Sequence, residues 1–236
     1  MTEELFRKDA YLRACEAKVV SVGADCIELD RTVFYPLGGG QPGDTGTLNF
    51  SNGDCVQVLD TRKGQAPNTI QHVVALVPQG ALGAQVTATL DWERRHRLMR
   101  MHSCMHLLCA VIDGGVTGGS IRDGSARLDF DLPDQLLDKE AINQRLNELV
   151  AADAEVNMHW ITEQELQAKP ELVRTMSVKP PSGQGSVRLV EIDGIDLQPC
   201  GGTHVARTGE IGRVRVKKIE KKGKHNRRVN VLFDEA

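Results

Sequence analysis

Two short stretches of the chain combine residue types and spacings that could hold a metal ion. One is His102-Ser-Cys-Met-His106, and the other is Cys200-Gly-Gly-Thr-His204. Around the first, Leu98, Met101, Met105, Leu108 and Val111 recur at helical intervals. Residues four apart on a helix share a face, so His102 and His106 point the same way. The second stretch follows Pro199 and carries Gly201 and Gly202, a composition that lets the backbone turn sharply and brings a thiolate and an imidazole to one point. Together the two offer imidazole nitrogens and one sulfur, a donor set that suits tetrahedral Zn²⁺. Four protein ligands would make a structural ion, and three would leave a position for water or substrate; the spacing leaves this open. Either pair alone is commonplace, and it is the conjunction that singles them out.

The elements that must position these groups follow from the pattern around them. The helix with His102 is expected to begin near Asp91, a suitable N-cap, and to stop at Asp113-Gly-Gly115. Arg94, Arg95, Arg97 and Arg100 load its first half with positive charge, either as a solvated face or as a surface that meets a polyanion. Downstream, 126–131 alternates as a strand, a helix is expected over about 134–151, and 154–161 reads as a strand holding His159, taken as structural. A short helix over 162–169 is capped by Thr162 with Glu165 at the box position. Residues 177–185 read as a loop, 187–193 as a strand, and 211–220 with 227–233 as a closing strand pair.

Before the helix the pattern changes. Strands are expected at 16–22, 26–29, 45–50, 55–61, 69–77 and 84–90, and this regular spacing argues for a small antiparallel barrel or sandwich. The stretch 34–46 holds five glycines in thirteen residues. It has no Gly-Lys-Ser/Thr and does not open a helix, so it is neither a P-loop nor a dinucleotide fingerprint. It reads as a tight connection between strands or as a backbone-rich loop approaching a ligand, with Thr32, Gln41 and Asp44 as polar contacts.

Composition narrows the classes. The 236 residues allow one large domain or two modest ones, and 40% hydrophobic content supports real cores. No apolar run reaches membrane-spanning length, and the charged start has no signal core, so a cytoplasmic protein without a membrane partner is expected. The six cysteines show no disulfide-scaffold spacing and read as reduced thiols plus a ligand. The net charge of −3 excludes a globally basic coat but not a local patch. Such a patch exists over 217–228, where Lys217, Lys218, Lys221, Lys222, Lys224, Arg227 and Arg228 stand against one glutamate, Glu220. It is either a solvated loop or a phosphate-binding one.

The two half-motifs, His102-Ser-Cys-Met-His106-Leu-Leu and Pro199-Cys-Gly-Gly-Thr-His204, resemble in order and separation the editing domain of alanyl-tRNA synthetases, and above all the free-standing AlaX-type editing proteins. The strand Arg127-Leu-Asp-Phe130 and the closing Ile211-Gly212 and Lys217-Lys-Ile-Glu220 belong to the same pattern. The stretch from Phe34 through Gln41 to Gly46 resembles the glycine-rich motif of the longer AlaX class. The chain departs at Gly118-Gly119-Ser120, where the synthetase domains carry a glutamine, so that residue's role does not carry over. The resemblance implies an α+β fold. Residues 1–90 would form a small antiparallel β-barrel domain with its glycine-rich loop at 38–46, and 91–236 an α/β two-layer zinc-binding editing domain.

It also implies hydrolysis of the ester in tRNA(Ala) mischarged with serine or glycine. His102, His106, Cys200 and His204 would hold one Zn²⁺, with Ser103, Ser120 and Thr203 as catalytic polar groups. Thr32, Gly39, Gly40 and Gln41 would discriminate the substrate, and the hairpin lysines and arginines would bind the RNA. Three alternatives remain at this stage. A zinc peptidase lacks its glutamate, since Ser103 occupies that place. A zinc-stabilised tRNA-binding module would bind RNA without catalysis, and a threonyl-type editing activity is the third.

Overall fold

A computed structural model describes residues 1–133, 136–175 and 185–234. The chain is mostly β and divides into two compact units, Met1–Arg97 and Leu98–Ala236, with the boundary inside one helix.

The first unit holds β1 (Glu3–Glu4), β2 (Ala14–Val22), β3 (Cys26–Leu29), β4 (Arg31–Thr32), β5 (Gly46–Phe50), β6 (Cys55–Lys63), β7 (Ile70–Val74) and β8 (Gln85–Leu90). β1 and β4 form a short parallel pair. The other six close into a barrel in the order β2-β3-β7-β6-β5-β8, every pairing antiparallel. The regular strand spacing in the sequence thus resolves to a closed barrel rather than a sandwich. Closure removes the free edges. Inward positions, among them Val19, Ile27, Leu29, Leu48, Val86 and Ala88, make its core.

The glycine-rich stretch is a tight turn. Gly38 and Gln41 exchange both backbone hydrogen bonds, at 3.1 and 2.9 Å. Gly39 and Gly40 between them take φ of +57° and +83°, which side chains disfavour. Asp44 and Arg95 behind the loop are fully buried and ion-paired. Asp44 also accepts from the Tyr35 amide at 2.6 Å, while Arg95 donates to the carbonyls of Ala10 and Val33 at 3.1 and 2.7 Å. Arg94 donates to Gly43 O at 2.8 Å. This corrects the expected ligand role of Asp44 and the expected anion-facing role of Arg95, because both side chains are enclosed by their own unit.

The shared helix, α1 (Trp92–Val111), is capped as expected, the Asp91 carboxylate accepting from the Arg94 amide at 3.2 Å. The second unit continues with β9 (Gly115–Arg122), β10 (Ser125–Asp131), α2 (Lys139–Ala151), β11 (Val156–Thr162), α3 (Glu163–Gln167), β12 (Ser186–Ile192), β13 (Asp196–Pro199), β14 (Val214–Lys222) and β15 (Asn226–Phe233). Two antiparallel sheets result, β14-β15-β10-β9 and β11-β12-β13. α2 lies along β14, where Asn147 and Asn143 bond the backbone of Val214 and Val216.

α2 begins later than its periodicity suggests. Asp138 caps it through the amides of Glu140 and Ala141, and Leu136, expected on its apolar side, is exposed ahead of it. A side-chain cap that fixes the first turn overrides the apolar pattern. The capping box at Thr162 and Glu165 is present. The expected loop at 177–185 and the helix start at 134 lie outside the described residues, Gly185 excepted. Among the described residues no helix is long and apolar enough to cross a membrane.

The buried Arg95–Asp44 pair makes a specific demand on stability. Asp44→Ala would leave the guanidinium enclosed without its counter-ion and should cost about 3–5 kcal/mol in urea unfolding. A loss under about 1 kcal/mol would show that water reaches Arg95 freely.

Candidate metal centre

α1 and the loop after β13 bring the two sequence motifs together. The candidate ligand atoms of His102, His106, Cys200 and His204 all lie within 4.8 Å of one another. Cys200 Sγ is 3.4 Å from His102 Nε2 and 3.3 Å from His204 Nε2. A tetrahedron built with zinc-type bond lengths places neighbouring N and S atoms about 3.3–3.7 Å apart, and both sulfur–nitrogen distances match that spacing, so the cluster could hold one ion. The histidine rings face inward, with centroids 4.4 Å apart for His102 and His204 and 4.7 Å for His106 and His204.

Each half-site is held from behind. Ser103, fully buried, places its hydroxyl 3.2 Å from His204 Nδ1 and accepts from the Val205 amide, which leaves Nε2 of His204 facing the cluster. His106 Nδ1 lies 3.0 Å from a carboxylate oxygen of Asp196. The loop itself is clamped by Arg188 of β12. Its Nε donates to Cys200 O at 2.9 Å, and the same guanidinium donates to Gly202 O. From α1, Arg100 donates to Ile211 O at 3.0 Å and stacks on Phe233. Arg100, too, is therefore committed to the fold.

The electrostatics are those of an enclosed cation site. Burial alone would raise the Cys200 thiol, but His102 and His204 beside it outweigh that and hold it well below its usual value. Burial and the neighbouring His102 push His204 down to about 3. Burial also opposes charge on His106, yet its hydrogen bond to Asp196 and the adjacent Cys200 raise it to about 9. Cys104 and Cys109, on the same helix, face the core, and burial pushes both thiols up to about 12.

The remaining sequence candidates fall in several places. Thr203 is fully buried in the ligand loop. Ser120 is half-buried on β9, paired in register with Arg127 of β10. Thr32 and Gln41 have no exposed surface; the Thr32 hydroxyl meets His72 Nε2 at 2.8 Å and accepts from the Phe34 amide. Gly39 and Gly40 are exposed at the loop tip. In the basic hairpin, Arg228 grips Asp129 through two bonds at 2.7 and 2.8 Å, and buried Arg227 donates to Pro133 O at 2.7 Å. Those two arginines are engaged by the fold itself. Lys218 and Lys222 each lie 3.1 Å from Glu220. Lys217, Lys221 and Lys224 are exposed and pair with no carboxylate among the described residues. His159 is exposed beside Glu191 at 2.6 Å.

The sequence reading missed Arg188 and Asp196. Arg188 interrupts the apolar run Val187-Arg-Leu-Val190, and a charge within a buried run demands an internal partner. Asp196, Gln198 and Cys200 alternate at two-residue spacing, which puts them on one face of a strand.

Comparison with known proteins identifies the family. Residues 187–230 match the family model described as threonyl and alanyl tRNA synthetase second additional domain, and residues 8–94 match that of class II (A) tRNA synthetases. Both point to the editing domain of alanyl-tRNA synthetase as the class. An alanyl-tRNA editing protein AlaX-M from Saccharolobus solfataricus is 36% identical over 97% of this chain and 98% of its own length. That from Pyrococcus horikoshii is 32% identical over 99% of both. The alanine–tRNA ligase of Pyrobaculum calidifontis is 36% identical over 93% of this chain but only 25% of its own length. The chain belongs to the AlaX-M family of alanyl-tRNA editing proteins.

The thiol chemistry is directly testable. In metal-free protein at pH 7, iodoacetamide should alkylate Cys200, held as a thiolate, and leave Cys104 and Cys109 unmodified. Their raised values keep them protonated through pH 10. One equivalent of Zn²⁺ should protect Cys200 in peptide mass spectra, and equal labelling of the three would contradict this assignment.

Proposed function

We propose that the chain is a zinc-dependent deacylase acting in trans on tRNA(Ala) mischarged with serine or glycine, in the cytoplasm where tRNA is charged. The observation that carries this reading is the four-ligand cluster within a chain whose full-length relatives are named alanyl-tRNA editing proteins. Residues 91–236 would be the zinc-binding editing domain, and 1–90 the β-barrel domain that carries the glycine-rich loop.

The need for such a site is physical. An alanine pocket cannot exclude glycine, which is merely smaller, and discriminates weakly against one added hydroxyl. A second site that bonds the serine hydroxyl leaves its own polar groups unsatisfied by alanine, and so rejects it. In the reaction water adds to the ester carbonyl and the bond to the ribose oxygen breaks. The products are the free amino acid and a tRNA hydroxyl.

When bound, Zn²⁺ would lower the pKa of a water or anchor the substrate's amino group. His102, His106, Cys200 and His204 would hold it. Ser103 positions His204 rather than touching substrate, because its hydroxyl is buried against the ring. Half-buried Ser120 is available to a substrate hydroxyl, whereas Thr203 supports the ligand loop from inside. Discrimination by the glycine-rich loop would come from the exposed backbone of Gly39 and Gly40, with Thr32 and Gln41 shaping it from beneath. Phosphate contacts would come from Lys217, Lys221 and Lys224, with Lys218 and Lys222 released from Glu220 when RNA approaches.

Release of labelled serine from Ser-tRNA(Ala), beside Ala-tRNA(Ala), tests the reading. Serine alone should be released, release should stop with a chelator, and His106→Ala should abolish metal binding and deacylation together. Zinc bound with no serine released would instead make the chain a tRNA-binding module.

Reversing Lys217, Lys221 and Lys224 to glutamate should weaken tRNA binding and flatten its dependence on salt by about one unit of slope per lysine. Retained affinity with an unchanged slope would remove the hairpin from the interface.

A further inference from the structure

Asp196 is a buried carboxylate at the start of β13, four residues before the ligand Cys200. Its Oδ2 lies 3.0 Å from His106 Nδ1 and accepts from Gln198 Nε2 at 2.7 Å. Its Oδ1 lies 3.9 Å from Arg174 Nε, and Arg174 donates through Nη1 to Cys109 O at 2.6 Å. Asp196 therefore joins the ligand helix to the ligand loop twice, directly through His106 and, by way of Arg174, one turn further along α1.

The contacts are unequal. Arg174 keeps about a third of its side chain exposed and stands beyond hydrogen-bond distance, so its attraction to Asp196 is screened. His106 and Asp196 are both enclosed and within bonding distance. The stronger coupling is to the histidine. An ionised carboxylate only accepts, so the proton between them belongs to Nδ1, and Nε2, on the side of Cys200 and His204, is the nitrogen left to meet an ion. Ser103 plays the corresponding part at His204 with a neutral hydroxyl. A carboxylate at this distance also raises the basicity of the ring it holds, which a hydroxyl does far less.

We propose that Asp196 is the positioning residue of the metal centre. It fixes His106 in the Nδ1–H tautomer, presents Nε2 to the ion and, with Gln198 beside it, ties the ligand strand to α1. This rests on reading the four-residue cluster as a metal site.

The test uses the full chain and Zn²⁺ in competition with a chromophoric chelator. Wild type, Asp196→Ala, Asp196→Asn and His106→Ala are compared, and the thermal unfolding of each metal-free protein is recorded. Asp196→Ala should bind Zn²⁺ about 10–100-fold more weakly while remaining folded. Asp196→Asn, which keeps the volume and an accepting oxygen, should lose less. Long-range ¹H–¹⁵N spectra of labelled histidines, recorded above pH 9 where His106 is neutral, should show Nδ1–H at His106 in the metal-free wild type and a mixture of tautomers in metal-free Asp196→Ala. A residue that only supports the fold would lower the melting temperature without moving tautomer or affinity, and that result overturns the proposal. Should Asp196→Ala not fold, Asp196→Asn decides, and an affinity equal to wild type overturns it. Failure of the wild type to bind Zn²⁺, or binding by His106→Ala as tight as wild type, would sink the metal site itself, a different outcome from a silent Asp196.

Discussion

The second unit depends on bringing two pairs of side chains, 98 residues apart at His102 and Cys200, to a single point. Three imidazoles and a sulfur in one enclosed space make an unfavourable cluster without a cation. The way they ionise shows it. One histidine is driven down to about 3, another up to about 9, and the thiol gives up its proton. The donors converge on one enclosed point, which is where a divalent cation could meet them together. The cost of assembling the cluster is met by neighbours that do not ligate. Arg188 fixes the loop carbonyls, Ser103 and Asp196 turn the rings, and Arg100 fastens α1 to the chain at Ile211. Such supports keep ligands in place before the ion arrives, which is what separates a site from a coincidence of donors.

The first unit solves a related problem with opposite means. Its loop of glycines leaves the Asp44 carboxylate in the interior beside the carbonyls of Ala10 and Val33, and Arg95 answers all three from one position on α1. A guanidinium suits this because its donors form a rigid fork that can serve Asp44 and two carbonyls at once. A lysine there would offer a point charge and could not cover the same acceptors. The arginines at the head of α1 look alike in sequence, and three of them differ in what they do. Arg95 is sealed in the barrel unit, Arg94 holds Gly43, and Arg100 lies on Phe233.

What could be read from the sequence follows the range of the interaction involved. The shared face of His102 and His106 was legible because i to i+4 spacing on a helix is a local rule. The barrel strands were legible because alternation and turn residues are local too. The cap at Asp91 and the box at Thr162 and Glu165 are local chemistry as well. Asp196 and Arg188 were missed because their meaning lies in partners far along the chain, His106 in one case and the loop carbonyls in the other. The engagement of the hairpin's arginines was hidden in a similar way. A run of charges reports composition, while Asp129, which takes Arg228, sits on a neighbouring strand almost a hundred residues earlier. Thr32 and Gln41 belong with these, since residue type says nothing about whether a side chain is enclosed.

The distribution of charge bears on how an enzyme of the proposed kind would work. The chain carries a net charge of −3, and most of the hairpin's cations are already engaged with Glu220, Asp129 or backbone carbonyls. With Lys218 and Lys222 first having to leave Glu220, the hairpin's hold on a tRNA would be modest. A weak, salt-sensitive grip suits a protein that must meet charged tRNAs, most of them correct, and let those go. Binding energy common to right and wrong tRNAs would slow that release without improving discrimination. Selectivity is better placed where the substrates differ, at the aminoacyl group, and in an enzyme of the proposed kind a rigidly supported cluster would supply fixed geometry there rather than additional affinity.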